Sequence, residues 1–203
     1  PVSFITEVGN DHVGNKIINY MKDNHVITDY VSIFPDGKSP VSLAFLNDKS
    51  DAEYVFYKDY PNNRLDTDFP ELHADDIVMF GSYFALNPVL RPKVKDFLNY
   101  AHEQGAILYY DPNFRSTHVS EALKLAPALI ENLEYADILR GSKEDFHYIY
   151  GLDDVSAIYK REVQFYCPRF IYTEGPDSVE LRSDGVNKTY SVPHINAVST
   201  VGA

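Results

Sequence analysis

The sequence has one cysteine, Cys167, among 203 residues. A single thiol excludes a disulfide framework and a multi-cysteine zinc site. Its scarcity fits a reducing compartment, so a cytoplasmic protein is expected. Basic residues are also few: 18 Lys and Arg stand against 30 Asp and Glu, a formal net charge of −12. Nucleic-acid and anionic-membrane partners need a basic face, so neither is expected. No run approaches about eighteen consecutive apolar residues, so no transmembrane helix is expected. The opening Pro1-Val2-Ser3-Phe4-Ile5 lacks the basic leader of a secretory signal, and its apolar run stops at Glu7. Internal repeats and low-complexity segments are absent. With 44% hydrophobic residues, the chain can bury the core of one domain of ordinary size, alone or with a small appendage.

The hydrophobic period alternates along the chain. A strand is expected over 3–8. A helix follows, capped by Asn10 or Asp11, with Val13, Ile17, Tyr20 and Met21 on one face. Short strands over 30–34, 41–46 and 53–58 then follow with only polar turns between them, a small inserted sheet. After Pro61 the strand–helix rhythm resumes. Strands are expected over 76–81, 106–110, 136–139 and 170–173, and helices over 91–104, 120–133 and 142–150. A hairpin pairs 178–182 with 188–192. This alternation implies an α/β fold, a three-layer Rossmann-like, mostly parallel sheet with helices on both faces. The division is 1–28 with 60–203 as the core and 29–59 as the insert. Ligands of such sheets bind at the carboxyl ends of the strands. Polar clusters fall there: Gly81-Ser82, Asp111-Pro112-Asn113-Phe114-Arg115, Gly141-Ser142 and Thr173-Glu174-Gly175.

Several tempting motifs reduce to ordinary structure. Gly9 to Lys16 resembles a phosphate-binding loop, but Asn15 separates Gly14 from Lys16 and no Ser or Thr follows, so it reads as a capped helix start. The seven histidines offer no metal-binding i, i+4 pair. No Gly-x-Ser-x-Gly elbow occurs, and Cys167 has no evident base beside it and reads as structural. Two clusters exceed what a turn requires. Asp111, Pro112 and Asn113 satisfy turn chemistry, but Arg115 is a planar charged donor near the ligand edge. The terminal Ser199-Thr200-Val201-Gly202-Ala203 offers the small residues of an anion hole.

Taken in order, these segments resemble the ribokinase-like, or PfkB, carbohydrate kinases, in particular the fructokinase and 2-keto-3-deoxygluconate kinase branch. Val8-Gly9-Asn10-Asp11-His12-Val13-Gly14 resembles an early Gly-x-Asp-x-x-Gly turn. The inserted strands, ending in Phe56-Tyr57-Lys58, resemble a β-lid. Asp111 to Arg115 matches an Asp-Pro-Asn-x-Arg segment. Ser142 to Asp145 sits at an Asn-x-x-Glu motif, with Ser142 in place of Asn and Asp145 in place of Glu. Thr173-Glu174-Gly175 resembles a nucleotide loop, in which Ser178 replaces a later Gly. Thr200 to Ala203 resembles the start of an Asp-Thr-x-Gly-Ala-Gly-Asp signature, with Ser199 in place of the first Asp. The family's catalytic Asp would lie beyond Ala203, and its Gly-Gly sugar loop would precede the residues given.

The resemblance implies transfer of the γ-phosphoryl group of ATP to the hydroxyl of a small sugar. Lys58 and Arg115 would orient the sugar. Asn113 and Ser142 would face the phosphates, with Thr173 and Gly175 shaping the nucleotide loop. Glu144 or Asp145 would hold Mg2+ through water, and the backbone N–H groups of Gly202 and Ala203 would form the anion hole. The implied cofactors are ATP and Mg2+, with K+ in addition, and the exposed lid edges suit a homodimer paired through the β-lid. Two other readings stay open: a non-catalytic sugar- or nucleotide-binding fragment, which would bind without turnover, and a nucleoside kinase of the same family.

Overall fold

The computed structural model describes residues 1–46 and 52–194. These fall into two compact units, Pro1–Glu71 and Leu72–His194.

In the first unit, β1 (Val2–Ser3) pairs in parallel with β3 (Val26–Ile27), and β2 (Thr6–Gly9) with β4 (Val31–Phe34). Helix α1 (His12–Asp23) lies between β2 and β3 in sequence, and its Met21 packs with Val8 and Val31 in a small core. The antiparallel hairpin β5 (Lys38–Leu46) and β6 (Ala52–Asp59) contains two of the three strands expected in the insert, and its register shifts between Lys38 and Val41; the third expected strand, β4, pairs in parallel with β2 instead.

The turn from β2 into α1 is held by one side chain. Asp11 is the N-cap, its Oδ1 accepting from the Gly14 N–H at 2.8 Å. The same carboxylate accepts from the Ser39 N–H at 2.8 Å and from the Ser39 hydroxyl at 2.8 Å. Gly14 is required by proximity: a Cβ there would lie 2.1 Å from the Gly9 carbonyl oxygen. The Gly9–Lys16 segment is therefore a capped helix start.

In the second unit, a six-stranded sheet has the order β12-β11-β10-β9-β8-β7. Strands β7 (Ile77–Gly81), β8 (Ile107–Asp111), β9 (Ile138–Ser142) and β10 (Arg169–Glu174) are parallel. Strands β11 (Ser178–Ser183) and β12 (Val186–Ser191) fold back antiparallel, giving the expected hairpin. The helices are α2 (Ser82–Leu86), α3 (Arg91–Glu103), α4 (Ala122–Tyr135), α5 (Lys143–Tyr150) and α6 (Val155–Ile158). A 3-10 turn, Ser116–Glu121, precedes α4, and a π-helical turn, Tyr159–Val163, follows α6.

The fold class matches the sequence expectation: a mostly parallel α/β sheet with a small β insert. Leu133, Phe146, Ile158 and Val163 pack onto Tyr110, Leu139, Phe170 and Tyr172 of three adjacent strands. Alternate residues face the other way, and at β7 that face is open, with Ile77 and Met79 each 68% exposed. No described helix is long and apolar enough to cross a membrane.

Several elements differ from the sequence reading. The strand expected over 3–8 is two strands, β1 and β2, separated by Phe4 and Ile5. Strand β9 begins at Ile138 rather than Ala136, because Ala136 still bonds back to Leu133 at the end of α4. Asp137 then joins the sheet edge, its carboxylate accepting from the Leu108 N–H at 2.9 Å. Helix α2 was unforeseen. It starts where Gly81, at φ +158°, lies so close to Asp111 that a Cβ would meet the Asp111 carbonyl oxygen at 1.7 Å.

Phe146 is 1% exposed and touches two rings of β10, Phe170 and Tyr172. Phe146→Ala is expected to cost about 3–5 kcal/mol, read as a lower urea midpoint. A second expectation concerns acid. The Gly14 N–H, then the Ser39 N–H, hold the Asp11 carboxyl at about 2, below its ordinary 3.8. A depressed carboxyl stabilises the fold above its unfolded value, and that contribution is lost as pH falls through the folded value. Asp11→Asn is thus expected to lower the urea midpoint at neutral pH. Its difference from wild type should shrink as pH falls from 3.8 toward about 2.

Candidate active site at the carboxyl edge of the sheet

The carboxyl ends of β8, β9 and β10 lie side by side, so Asp111, Ser142 and Thr173 come to one edge through sheet register alone. Thr173 is paired with Ser142, and Gly81 with Asp111.

The α5 end of this edge is organised by Asp145, which is 3% exposed. Ser142 caps α5 and forms a capping box with Asp145. One Asp145 oxygen accepts from the Ser142 N–H at 2.6 Å and from the Ser142 hydroxyl at 2.7 Å. The other accepts from the Phe114 N–H at 2.5 Å, 31 residues away in sequence. A buried carboxylate needs such donors to offset its lost hydration. The result is a tether between the β8 loop and the start of α5. Asn113 passes through a left-handed φ of +41°. Phe114 is buried beside Leu86, Leu125 and Leu129. Arg115 is exposed: its carbonyl accepts from the His118 N–H at 2.9 Å, and its guanidinium makes no hydrogen bond or ion pair to another described residue. Loop strain and burial thus fix the backbone and leave the guanidinium available.

A second cation sits across the strand ends. Arg140 reaches Asp111 Oδ2 at 3.1 Å and donates to Thr173 Oγ1 at 3.0 Å. Burial pushes the Asp111 carboxyl above its ordinary range, and the Arg140 charge opposes that. At the surface, Lys143 pairs with Glu174 at 2.5 Å, and this hydrogen bond raises the Lys143 ammonium pKa. Glu144 is exposed in the first turn of α5, where a negative charge is favoured. Gly175 takes a left-handed φ of +53°, and the turn after β10 closes with the Asp177 N–H donating to the Glu174 carbonyl at 3.0 Å.

Asn113, Arg115, Ser142, Glu144, Asp145, Thr173 and Gly175 therefore share one edge of one unit. Lys58 lies in the other unit, exposed on β6, with its Nζ 5.1 Å from the Phe56 ring centroid. Gly202 and Ala203 lie outside the described residues. Arg140 was missed from sequence. Its signal was a lone charge inside an otherwise apolar strand, Ile138-Leu139-Arg140-Gly141, two residues before Ser142.

The edge offers a nucleotide-bound magnesium ion limited help. Among the described residues no cluster of three or more His, Cys, Asp or Glu side chains is placed to hold a metal. Both Asp145 oxygens are engaged within the protein, which leaves Glu144 as the carboxylate facing solvent. One carboxylate acting through water fits an ion that arrives on substrate phosphates and keeps its waters.

Residues 1–203 match the family described as pfkB family carbohydrate kinase. The chain is 25% identical over 99% of its length to a probable chloroplastic fructokinase-6 of Arabidopsis thaliana, covering 54% of that protein. It is 29% identical over 98% of its length to a 5-dehydro-2-deoxygluconokinase of Bacillus thuringiensis (strain Al Hakam), covering 64% of it. The fold is similar to the crystal structure of a Vibrio cholerae O395 fructokinase in a form with fructose, ADP and calcium ion bound. That match has a TM-score of 0.83 at 18% identity and covers 98% of this chain and 66% of that one. The chain thus spans between about half and two thirds of the length of these curated relatives.

Asp145→Ala removes the return half of the α5 capping box, which leaves the Ser142 N–H without its acceptor, and strands the buried Phe114 N–H. These losses are each about 1–2 kcal/mol, so a loss of about 3 kcal/mol in urea unfolding is expected. A carboxylate that served only a solvent-borne ion would cost less than about 1 kcal/mol when removed.

Proposed function

The chain belongs to the pfkB family of carbohydrate kinases, and from that premise we propose that it carries the binding scaffold of an ATP-dependent sugar kinase. The reaction is transfer of the γ-phosphoryl group of ATP to a hydroxyl of a fructokinase-type sugar. One observation carries the reading: Arg115 stands exposed on a loop pinned by Asp145, at the ligand edge of a parallel sheet. A guanidinium held by its backbone rather than by a counter-ion is suited to forked hydrogen bonds with a polyol or carboxylate.

Phosphoryl transfer depends on positioning and on charge stabilisation. Arg115 and the hairpin residue Lys58 orient the sugar. Asn113 and Ser142 line the phosphate side. Thr173 and Gly175 shape the nucleotide loop. Magnesium, when bound, supplies neutralisation of phosphate charge, and Glu144 is the carboxylate suited to hold its waters, with Asp145 acting behind it as the tether. A potassium ion belongs to the same proposal. Gly202 and Ala203 keep the anion-hole role that their small size suggests. The exposed apolar side chains of the hairpin, Leu43, Phe45, Val55 and Tyr57, support pairing with the hairpin of a second copy. A cytoplasmic site of action completes the reading.

The test is ADP release in the presence of fructose, 2-keto-3-deoxygluconate, 5-dehydro-2-deoxygluconate, ribose or adenosine. Turnover with a sugar of the fructose type is expected. Preference for adenosine would make the protein a nucleoside kinase, and binding without turnover would make it a binding module. Arg115→Ala is expected to lower kcat/KM for the sugar by about tenfold to a hundredfold, the value of a charge-assisted hydrogen bond, and to leave the urea midpoint unchanged. Unchanged kinetics would remove Arg115 from the site.

A further inference from the structure

The hairpin β5–β6 leaves its unit by two legs, and a carboxylate on or just past β2 engages each of them. On the entry leg the partner is Ser39, which is 5% exposed and lies within the register shift of β5. Besides its two bonds to Asp11, the Ser39 hydroxyl oxygen accepts from the Gly9 N–H at 2.9 Å. The shift turns Ser39 toward β2, out of the sequence of pairs that holds Val41 to Tyr57 and Leu43 to Val55.

On the exit leg the carboxylate is Glu7, which is 6% exposed. Its Oε1 accepts from Arg64 Nε at 2.6 Å, and its Oε2 from the Leu65 N–H at 2.7 Å. The Arg64 guanidinium carbon lies 3.6 Å from the centroid of the Tyr60 ring. Tyr60 directly follows Asp59, the last residue of β6, and Lys58 precedes it. The two legs also meet each other: a Cβ at Gly37 would come within 2.5 Å of the Asp59 carbonyl oxygen. Strand pairing sets the register of a two-stranded hairpin, but alone it is marginal and does not fix the direction in which the hairpin departs from β2. Two hydrogen-bonded carboxylates at the root, Glu7 buried and Asp11 partly exposed, supply that constraint.

We infer that Glu7 and Asp11 are positioning residues that lock both legs of the hairpin to β2, and that Glu7 fixes the β6 end carrying Lys58 through Arg64 and Tyr60. The functional consequence rests on the sugar-kinase reading, in which Lys58 meets the sugar. In that reading the locked root restricts the freedom of the segment that carries Lys58, and loosening it costs sugar affinity.

The test combines hydrogen–deuterium exchange with calorimetry on the full chain, using fructose and ADP as probes. Asp11→Asn is expected to speed exchange about tenfold in residues 38–46, and Glu7→Gln to do the same in residues 58–65. Exchange in residues 138–142 of the other unit should stay at the wild-type rate. Either variant should weaken fructose binding about fivefold and leave ADP binding within about twofold. Should Glu7→Gln not fold, Arg64→Lys keeps the charge and loses the fork, and should raise exchange in the same segment. Unchanged hairpin exchange overturns the inference. So does exchange raised equally in both units, which would make the carboxylates general stabilisers. A wild-type chain that binds no fructose defeats the sugar-kinase reading, while the exchange result still decides whether the root is locked.

Discussion

The carboxylate of Asp145 is the constraint on which the candidate site depends. It lies almost wholly out of water and is stable there because three donors converge on it from two segments. Two of those donors belong to Ser142, at the start of its own helix. The third is the Phe114 N–H, at the end of a neighbouring strand's loop. Local helix capping and long-range loop placement are therefore one interaction. Because the Phe114 backbone is held, Asn113 keeps its left-handed conformation and Arg115 is presented to solvent. The sheet brings these segments into range, and the carboxylate decides how they meet.

Elsewhere the molecule uses the same physics. Asp11 caps α1 and also takes both polar groups of Ser39. Glu7 takes Arg64 and the Leu65 backbone. Asp137 closes the edge between β8 and β9. In each case an acidic side chain in or beside a strand or helix satisfies backbone donors that the regular elements leave open. An acidic chain with a formal charge of −12 thus places several of its carboxylates where they organise loops rather than only solvate the surface. Arg140 is the counterpart on the cationic side, joining three neighbouring strands through Asp111 and Thr173.

Particular residues show how far the sequence could be read. The alternation of period 2 and period 3.6 gave the strands and helices of the second unit, because burial on a sheet or helix face is a local pattern. It placed β9 two residues early, since Ala136 is apolar enough to read as strand although its N–H still belongs to the preceding helix. Helix α2 left no periodic signal in five residues, and it exists where Gly81 lets the chain pack against Asp111. Ser142-Lys143-Glu144-Asp145 stands in the sequence reading only as a family motif with an implied metal role, and the structure makes it a capping box as well. The two readings share a spacing, and only the Phe114 contact separates them. The lone charge of Arg140 carries no local signal of its role, because its partners Asp111 and Thr173 lie on the neighbouring strands β8 and β10.

The sequence by itself determined the α/β class, the inserted hairpin, the polar clusters at the strand ends and the family resemblance, all of which are written in local order and composition. Tertiary structure alone decided which carboxylate is consumed in holding loops and which faces solvent, and which cation is tied and which is exposed. Those properties depend on donors supplied by residues 28 to 58 positions away, such as Ser39 for Asp11, Phe114 for Asp145 and Leu65 for Glu7. No local pattern encodes a partner at that distance. Its effect appears only when folding removes water from the carboxylate and a specific N–H takes its place.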